Sequence, residues 1–148
     1  MLSSVSLQWF NPFFSWCISS SIKRGHSRPQ EAILLGGDGK VREGTASNVF
    51  VVKEGKLKTP SAQCGILEGV TRAAILELAF QTGIPCEEAV LAPEELVGAD
   101  EVFLTNTSWG ALPVGILDGK PVGVGGGGPV ALTLGRKLSE LVERECSP

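Results

Sequence analysis

Three short segments, in each of which strand-like apolar sequence gives way to glycine and small polar residues, restrict what this chain can fold into more than anything else in its 148 residues. They are Glu43-Gly44-Thr45-Ala46-Ser47-Asn48-Val49-Phe50, Gly65-Ile66-Leu67-Glu68-Gly69-Val70-Thr71-Arg72 and Thr105-Asn106-Thr107-Ser108. Glycine and short polar side chains let backbone N–H groups come close to a ligand, as a phosphate-binding concavity requires. The three segments read as walls of one anion-binding cofactor pocket, and the middle one opens a helix. After Gly69 the apolar residues Val70, Ala74, Ile75, Leu78 and Ala79 recur at helical spacing, and Gly83 with Pro85 closes the run. No Asp, Asn or Ser caps its start. The N–H groups of Val70, Thr71 and Arg72 therefore lack a side-chain acceptor where the helix dipole concentrates positive charge. A phosphate would satisfy them; spacing alone favours an ordinary water-capped surface helix, because most helix starts bind nothing.

Around these segments, residues 31–148 alternate strands with helices, and the expected class is α/β with a mixed sheet and flanking helices. Glu31–Leu35 reads as an apolar strand followed by a Gly36-Gly37-Asp38-Gly39 turn, and Asn48–Lys53 as a strand turning at Glu54-Gly55 into Lys56-Leu57-Lys58. Residues 84–90 return as a strand. Pro93-Glu94-Glu95-Leu96 opens a short helix with proline early and acids in its first turn. Residues 101–105 form a further strand, and 111–117 pair across Asp118-Gly119 with Pro121-Val122. After Pro129, Leu134, Leu138, Leu141 and Val142 lie on one helical face. The run Gly125-Gly126-Gly127-Gly128 has neither the G-K-[ST] ending of a P-loop nor a G-x-G-x-x-G pattern, and reads as a flexible turn.

Residues 31–148 resemble the C-terminal domain of the class IV aminotransferases, the pyridoxal-phosphate enzymes of fold type IV, which include branched-chain and D-amino acid aminotransferases and aminodeoxychorismate lyases. The likeness is carried by five ordered motifs: the three segments above, then Pro113-Val114 and Gly128-Pro129-Val130. It implies pyridoxal 5'-phosphate as cofactor. It assigns Glu43 to the pyridine nitrogen, where a carboxylate keeps the ring protonated and electron-withdrawing. Val70 and Thr71 would hold the phosphate through backbone N–H groups and the Thr71 hydroxyl, with Thr107 as a further contact. Ser108 would face phosphate or substrate carboxylate. Leu67 would pack on the cofactor ring, unless it is an ordinary core leucine. Ser47 and Asn48 would orient Glu43 and its turn.

The chain departs from the family where the chemistry is most demanding. The Schiff-base lysine lies on a strand roughly two dozen residues before the one matching Glu31–Leu35, near Leu7 here, and no lysine precedes Lys23. The catalytic set is therefore expected to be empty, and the first domain of roughly a hundred residues or more to be missing. Composition also breaks at residue 30. Residues 1–30 carry three basic and no acidic side chains, the remainder 10 basic and 16 acidic, for a net charge of −3. The leader is rich in serine and in Trp9, Phe10, Phe13, Phe14 and Trp16, without clean periodicity. It fits neither an organelle transit segment nor a secretory signal well, and a frameshifted or misassigned start joined to a genuine domain is the favoured account.

No apolar run reaches the ~20 residues of a membrane span, and the acidic main domain argues against nucleic acid as a partner. Cys17, Cys64, Cys86 and Cys146 are too dispersed for a zinc site or a disulfide framework, and the lone His26 suggests no metal. A reducing cytoplasm is expected. For a complete protein the resemblance implies a homodimer acting on an amino acid, a keto acid or aminodeoxychorismate. The loop from Thr107 to Val114 has Gly110 where transaminases of the family usually carry glutamate, and Asn106 is common in the lyases, which tilts the reading toward a lyase. Trp109 would then line an aromatic substrate pocket or be a buried structural residue. The other class of reading is a non-catalytic relative that keeps the fold for dimerisation or ligand binding.

Overall fold

Two strands, Asn48–Lys53 and Glu101–Asn106, are each buried without a break over their first five residues, because neither of their faces meets water. In the computed structural model, which describes residues 17–21, 31–125 and 127–146, they pair antiparallel in the middle of a sheet, with Phe50 opposite Phe103. In chain order the elements are β1 (Cys17–Ser21), β2 (Glu31–Leu35), β3 (Val41–Gly44), β4 (Asn48–Lys53), β5 (Lys56–Pro60), α1 (Val70–Gln81), β6 (Cys86–Ala89), α2 (Pro93–Val97), β7 (Glu101–Asn106), β8 (Gly110–Pro113), β9 (Ile116–Leu117), β10 (Lys120–Pro121) and α3 (Pro129–Cys146). The central sheet runs β6-β5-β4-β7-β8 and is mixed, β6 lying parallel to β5 and the rest antiparallel. A second sheet, β10-β9-β1-β2-β3, is antiparallel throughout.

Side-chain alternation in β4 divides the interior in two. Val49 and Val51 join Ile33, Leu35 and Val41 of the second sheet together with Leu91 and Leu96, whereas Phe50 and Val52 join Ile75 and Leu78 of α1 and Leu134 and Leu138 of α3. The central sheet is thus the middle of three layers, and a strand buried on both faces reads as a continuous apolar run. The face of α3 carrying Leu134 and Leu138 is buried as expected, but Val142 at the end of that stripe is 52 % exposed. Among the described residues no helix is long and apolar enough to cross a membrane.

The expected α/β class with a mixed sheet and flanking helices is what the structure has, with a second, antiparallel sheet beside it. Two expectations need correction. Residues 111–117 are not one strand: β8 pairs with β7 in the central sheet, β9 with β1 in the second, and Val114 is buried between the sheets where the chain crosses over. Of residues 84–90 only Cys86–Ala89 is strand. The Val41-Arg42-Glu43-Gly44 strand has no signal in the sequence, because its residues do not alternate and its conformation comes from pairing with β2. The composition boundary at residue 30 falls between β1 and β2, which pair from Cys17↔Leu34 to Ser20↔Glu31. The rest of the leader, with its aromatic residues, Lys23 and His26, lies outside the described residues.

The glycine run before α3 has a packing reason. The Glu101 carboxylate accepts hydrogen bonds from the N–H groups of Val130 (3.1 Å) and Ala131 (2.8 Å), and a Cβ on Gly128 would collide with its carboxyl carbon. An internal acid therefore fills this helix start, leaving no place for a phosphate. Glu101→Gln keeps the shape but turns an N–H donor toward the helix N–H groups. It should cost about 1–2 kcal/mol in urea unfolding.

Candidate cofactor site

Strand pairing brings the three glycine-rich segments to one place. Asn48, the first residue of β4, pairs with Thr105 near the end of β7, so the turn leaving β3 and the turn leaving β7 lie side by side. The start of α1 completes an open cleft of about 300 Å³, lined by residues 43–48, Leu67, Gly69, Val70, Thr71 and 105–107. Five of the six candidate residues, Glu43, Leu67, Val70, Thr71 and Thr107, share this lining. Ser108 stands outside it, exposed, with its N–H taken up by the Asn106 side chain. Leu67 is 74 % exposed and Val70 79 %, so Leu67 is not a core leucine. Trp109 is 38 % exposed and does not line the cleft.

Side chains from one wall hold the backbone of another. Glu43 Oε2 accepts the Leu67 N–H (2.9 Å), while Asn48 Nδ2 donates to the Leu67 carbonyl (2.7 Å). The segment before α1 is thus gripped from both sides. Gly69 is required for space: a Cβ there would collide with Asn48 Oδ1. Asn106 Nδ2 donates to the Ala46 carbonyl (3.0 Å). The buried Arg72 anchors the first turn of α1, donating to the Pro60 carbonyl (2.9 Å) and pairing with Glu88. Glu31 holds the opposite loop, its carboxylate accepting from the Thr45 N–H (2.9 Å) and hydroxyl.

The polar groups fit an elongated ligand with an anionic end. The start of α1 has no side-chain cap and no acidic residue in its first turn, in contrast to α3 with Glu101 and α2 with Glu94 and Glu95. Two hydroxyls from the lining, Ser47 Oγ and Thr105 Oγ1, are buried without a hydrogen-bond partner among the described residues, a condition that a bound acceptor or water relieves. Uncapped N–H groups and hydroxyls suit a phosphate, and the Glu43 carboxylate suits a protonated ring nitrogen. None of the described lysines is in the lining.

Sequence reasoning assigns no contact to Thr105 or Gly69, although both stand inside the motifs. It also misses the Asn106 bridge, the Arg72 anchor and the Glu31 brace. Those partners lie 12 to 60 residues away, and no local pattern marks them.

A three-layer α/β frame brings an open helix start, hydroxyl-bearing turns and one carboxylate into a single cleft. Residues 21–116 match the family model described as amino-transferase class IV, and the chain belongs to that family of pyridoxal-phosphate-dependent, fold type IV enzymes. It is 51 % identical over 104 residues to a Thermotoga maritima protein named "Probable branched-chain-amino-acid aminotransferase", covering 70 % of this chain and 38 % of that one. To the D-alanine aminotransferase of Bacillus licheniformis it is 39 % identical over 115 residues, covering 78 % and 40 %. The structure superposes on a T.th. branched-chain amino acid aminotransferase solved with pyridoxamine 5'-phosphate at a TM-score of 0.76 and 35 % identity, covering 80 % of this chain and 39 % of the other. The chain thus spans about two fifths of the length of the relatives it matches.

Proposed function

We propose that this chain carries the cofactor-holding domain of a pyridoxal-phosphate-dependent amino acid transaminase of the branched-chain type. The observation that carries it is the meeting of Glu43, Leu67, Val70, Thr71 and Thr107 in one cleft at an uncapped helix start. Val70 and Thr71 hold the phosphate through their N–H groups, and the Thr71 and Thr107 hydroxyls add donors. Leu67, held at its N–H and carbonyl, offers an apolar side chain to the ring face. Glu43, steadied by the Leu67 amide through one oxygen, keeps a proton on the ring nitrogen. Bound pyridoxal phosphate would supply the electron sink for a bond breaking at the substrate's α-carbon. Relay of that carbon's proton needs an amine, which the described part of the lining does not contain. The names of the relatives favour amino-group transfer over the elimination that Asn106 and Gly110 suggest.

Titration of the purified chain with pyridoxal phosphate, followed by absorbance, tests this. Saturable, reversible binding displaced by inorganic phosphate is expected, with no covalent label in residues 31–148 after borohydride. Binding indifferent to phosphate, or none, would sink it. Glu43→Gln should weaken binding by about tenfold, through loss of a charged hydrogen bond, and shift the cofactor band toward the unprotonated ring.

A further inference from the structure

We infer that Asn106 is a positioning residue that sets the distance between the Glu43 and Thr107 walls of the cleft. The inference rests on the cofactor reading above and extends it to a residue that touches the ligand's surroundings rather than its chemistry.

The β4–β7 ladder runs from Val52↔Glu101 to Asn48↔Thr105 and ends there. Beyond that rung the backbone turns through residues 45–47 on one side and 107–109 on the other, and cleft residues lie on both turns. Asn106 stands just past the last rung. Its Nδ2 donates across the gap to the Ala46 carbonyl (3.0 Å), while its Oδ1 accepts from the N–H groups of Ser108 (2.9 Å) and Trp109 (3.0 Å). One planar amide therefore both shapes its own loop and joins it to the facing one. The orientation of the amide follows from its partners, oxygen toward two N–H groups and nitrogen toward a carbonyl.

Few residues can do both. Aspartate has the acceptor but no donor, serine lacks the reach, and glycine has neither group. The bridge also reaches the third wall. Ala46 lies between Glu43 and Asn48, which grip Leu67 and so the approach to α1. Thr107 follows Asn106 directly. Loss of the bridge frees the turn that follows Glu43 from the loop carrying Thr107, while the ladder and both cores stay as they are. Asn106 is only partly buried, so its replacement leaves the interior packing alone.

The test compares Asn106→Asp and Asn106→Ala with wild type, in the full 148-residue chain. Aspartate keeps the acceptor and loses the bridge; alanine loses both without adding charge. Affinity for pyridoxal phosphate and for inorganic phosphate is measured together with amide hydrogen exchange and thermal unfolding. Both variants should bind both ligands about tenfold more weakly, with faster exchange in residues 44–48. Exchange at Ser108 and Trp109 should rise only in Asn106→Ala, and the unfolding midpoint should move by no more than a few degrees. Unchanged binding in Asn106→Ala overturns the inference, because weakening by aspartate alone would then be charge repulsion. Failure of wild type to bind pyridoxal phosphate overturns the cofactor reading instead. Exchange then still decides on the bridge: slower in wild type than in both variants supports it, and equal in all three overturns it.

Discussion

Val70→Pro should leave the fold standing and empty the site. Val70 is the first residue of α1, the helical position where proline is best tolerated, since its N–H makes no bond within the helix. Gly69 is extended, at φ −65° and ψ 146°, which is the conformation proline demands of the residue before it. The valine side chain is 79 % exposed, so little packing is lost. The substitution does remove an N–H assigned to the phosphate. A hydrogen bond to a charged group is worth about 1.5–3 kcal/mol, and affinity for pyridoxal phosphate should fall on the order of ten- to a hundredfold. Stability in urea should change by about 0.5 kcal/mol or less. Val70→Ala, which keeps the N–H, should bind as wild type does. Equal binding by the proline variant in equilibrium dialysis would move the anion away from this helix.

Phe103→Ala should be the most damaging single substitution for stability. Phe103 is fully buried and stacks on Phe50 across the β4–β7 ladder, with ring centroids 5.0 Å apart and planes 3° from parallel. It lies in the core between the central sheet and the helices α1 and α3. Truncation of such a ring costs about 3–5 kcal/mol, a large part of the roughly 5–15 kcal/mol that holds a domain together. Urea unfolding should show a midpoint far below wild type. Phe80→Ala is the control, because Phe80 is 86 % exposed and its loss should cost about 0.5 kcal/mol or less. Phe50→Ala added to Phe103→Ala should cost less than the sum of the two, because both rings leave one shared cavity.

The relation between sequence and structure is clearest at the two long helix starts. Both α1 and α3 begin after glycine with no capping Ser, Asp or Asn. Local sequence treats them alike, yet one end is open to a ligand and the other is filled by Glu101, 29 and 30 residues away from the N–H groups it binds. The candidate cofactor residues stand in compact motifs and are legible from them; Ser108, the exception to the shared lining, is set aside by the way Asn106 folds its own loop. The break between β8 and β9 is hidden for a related reason. Residues 111–117 are apolar throughout, and a run buried in two different sheets looks the same as a run buried in one.

Periodicity and turn chemistry determined the locations of β2, β4, α1, α2 and α3, because each depends on forces acting within a few residues: side-chain alternation, helical spacing, and the punctuation of glycine and proline. The ordered motifs likewise determined which residues belong to a phosphate-holding family. Tertiary structure alone decided that there are two sheets, that β3 exists, that Glu43 and Asn48 grip one leucine, and that Asn106 ties the facing loops. These rest on hydrogen bonds and packing between residues far apart in the chain, whose energies depend on distances that exist only once the layers have closed.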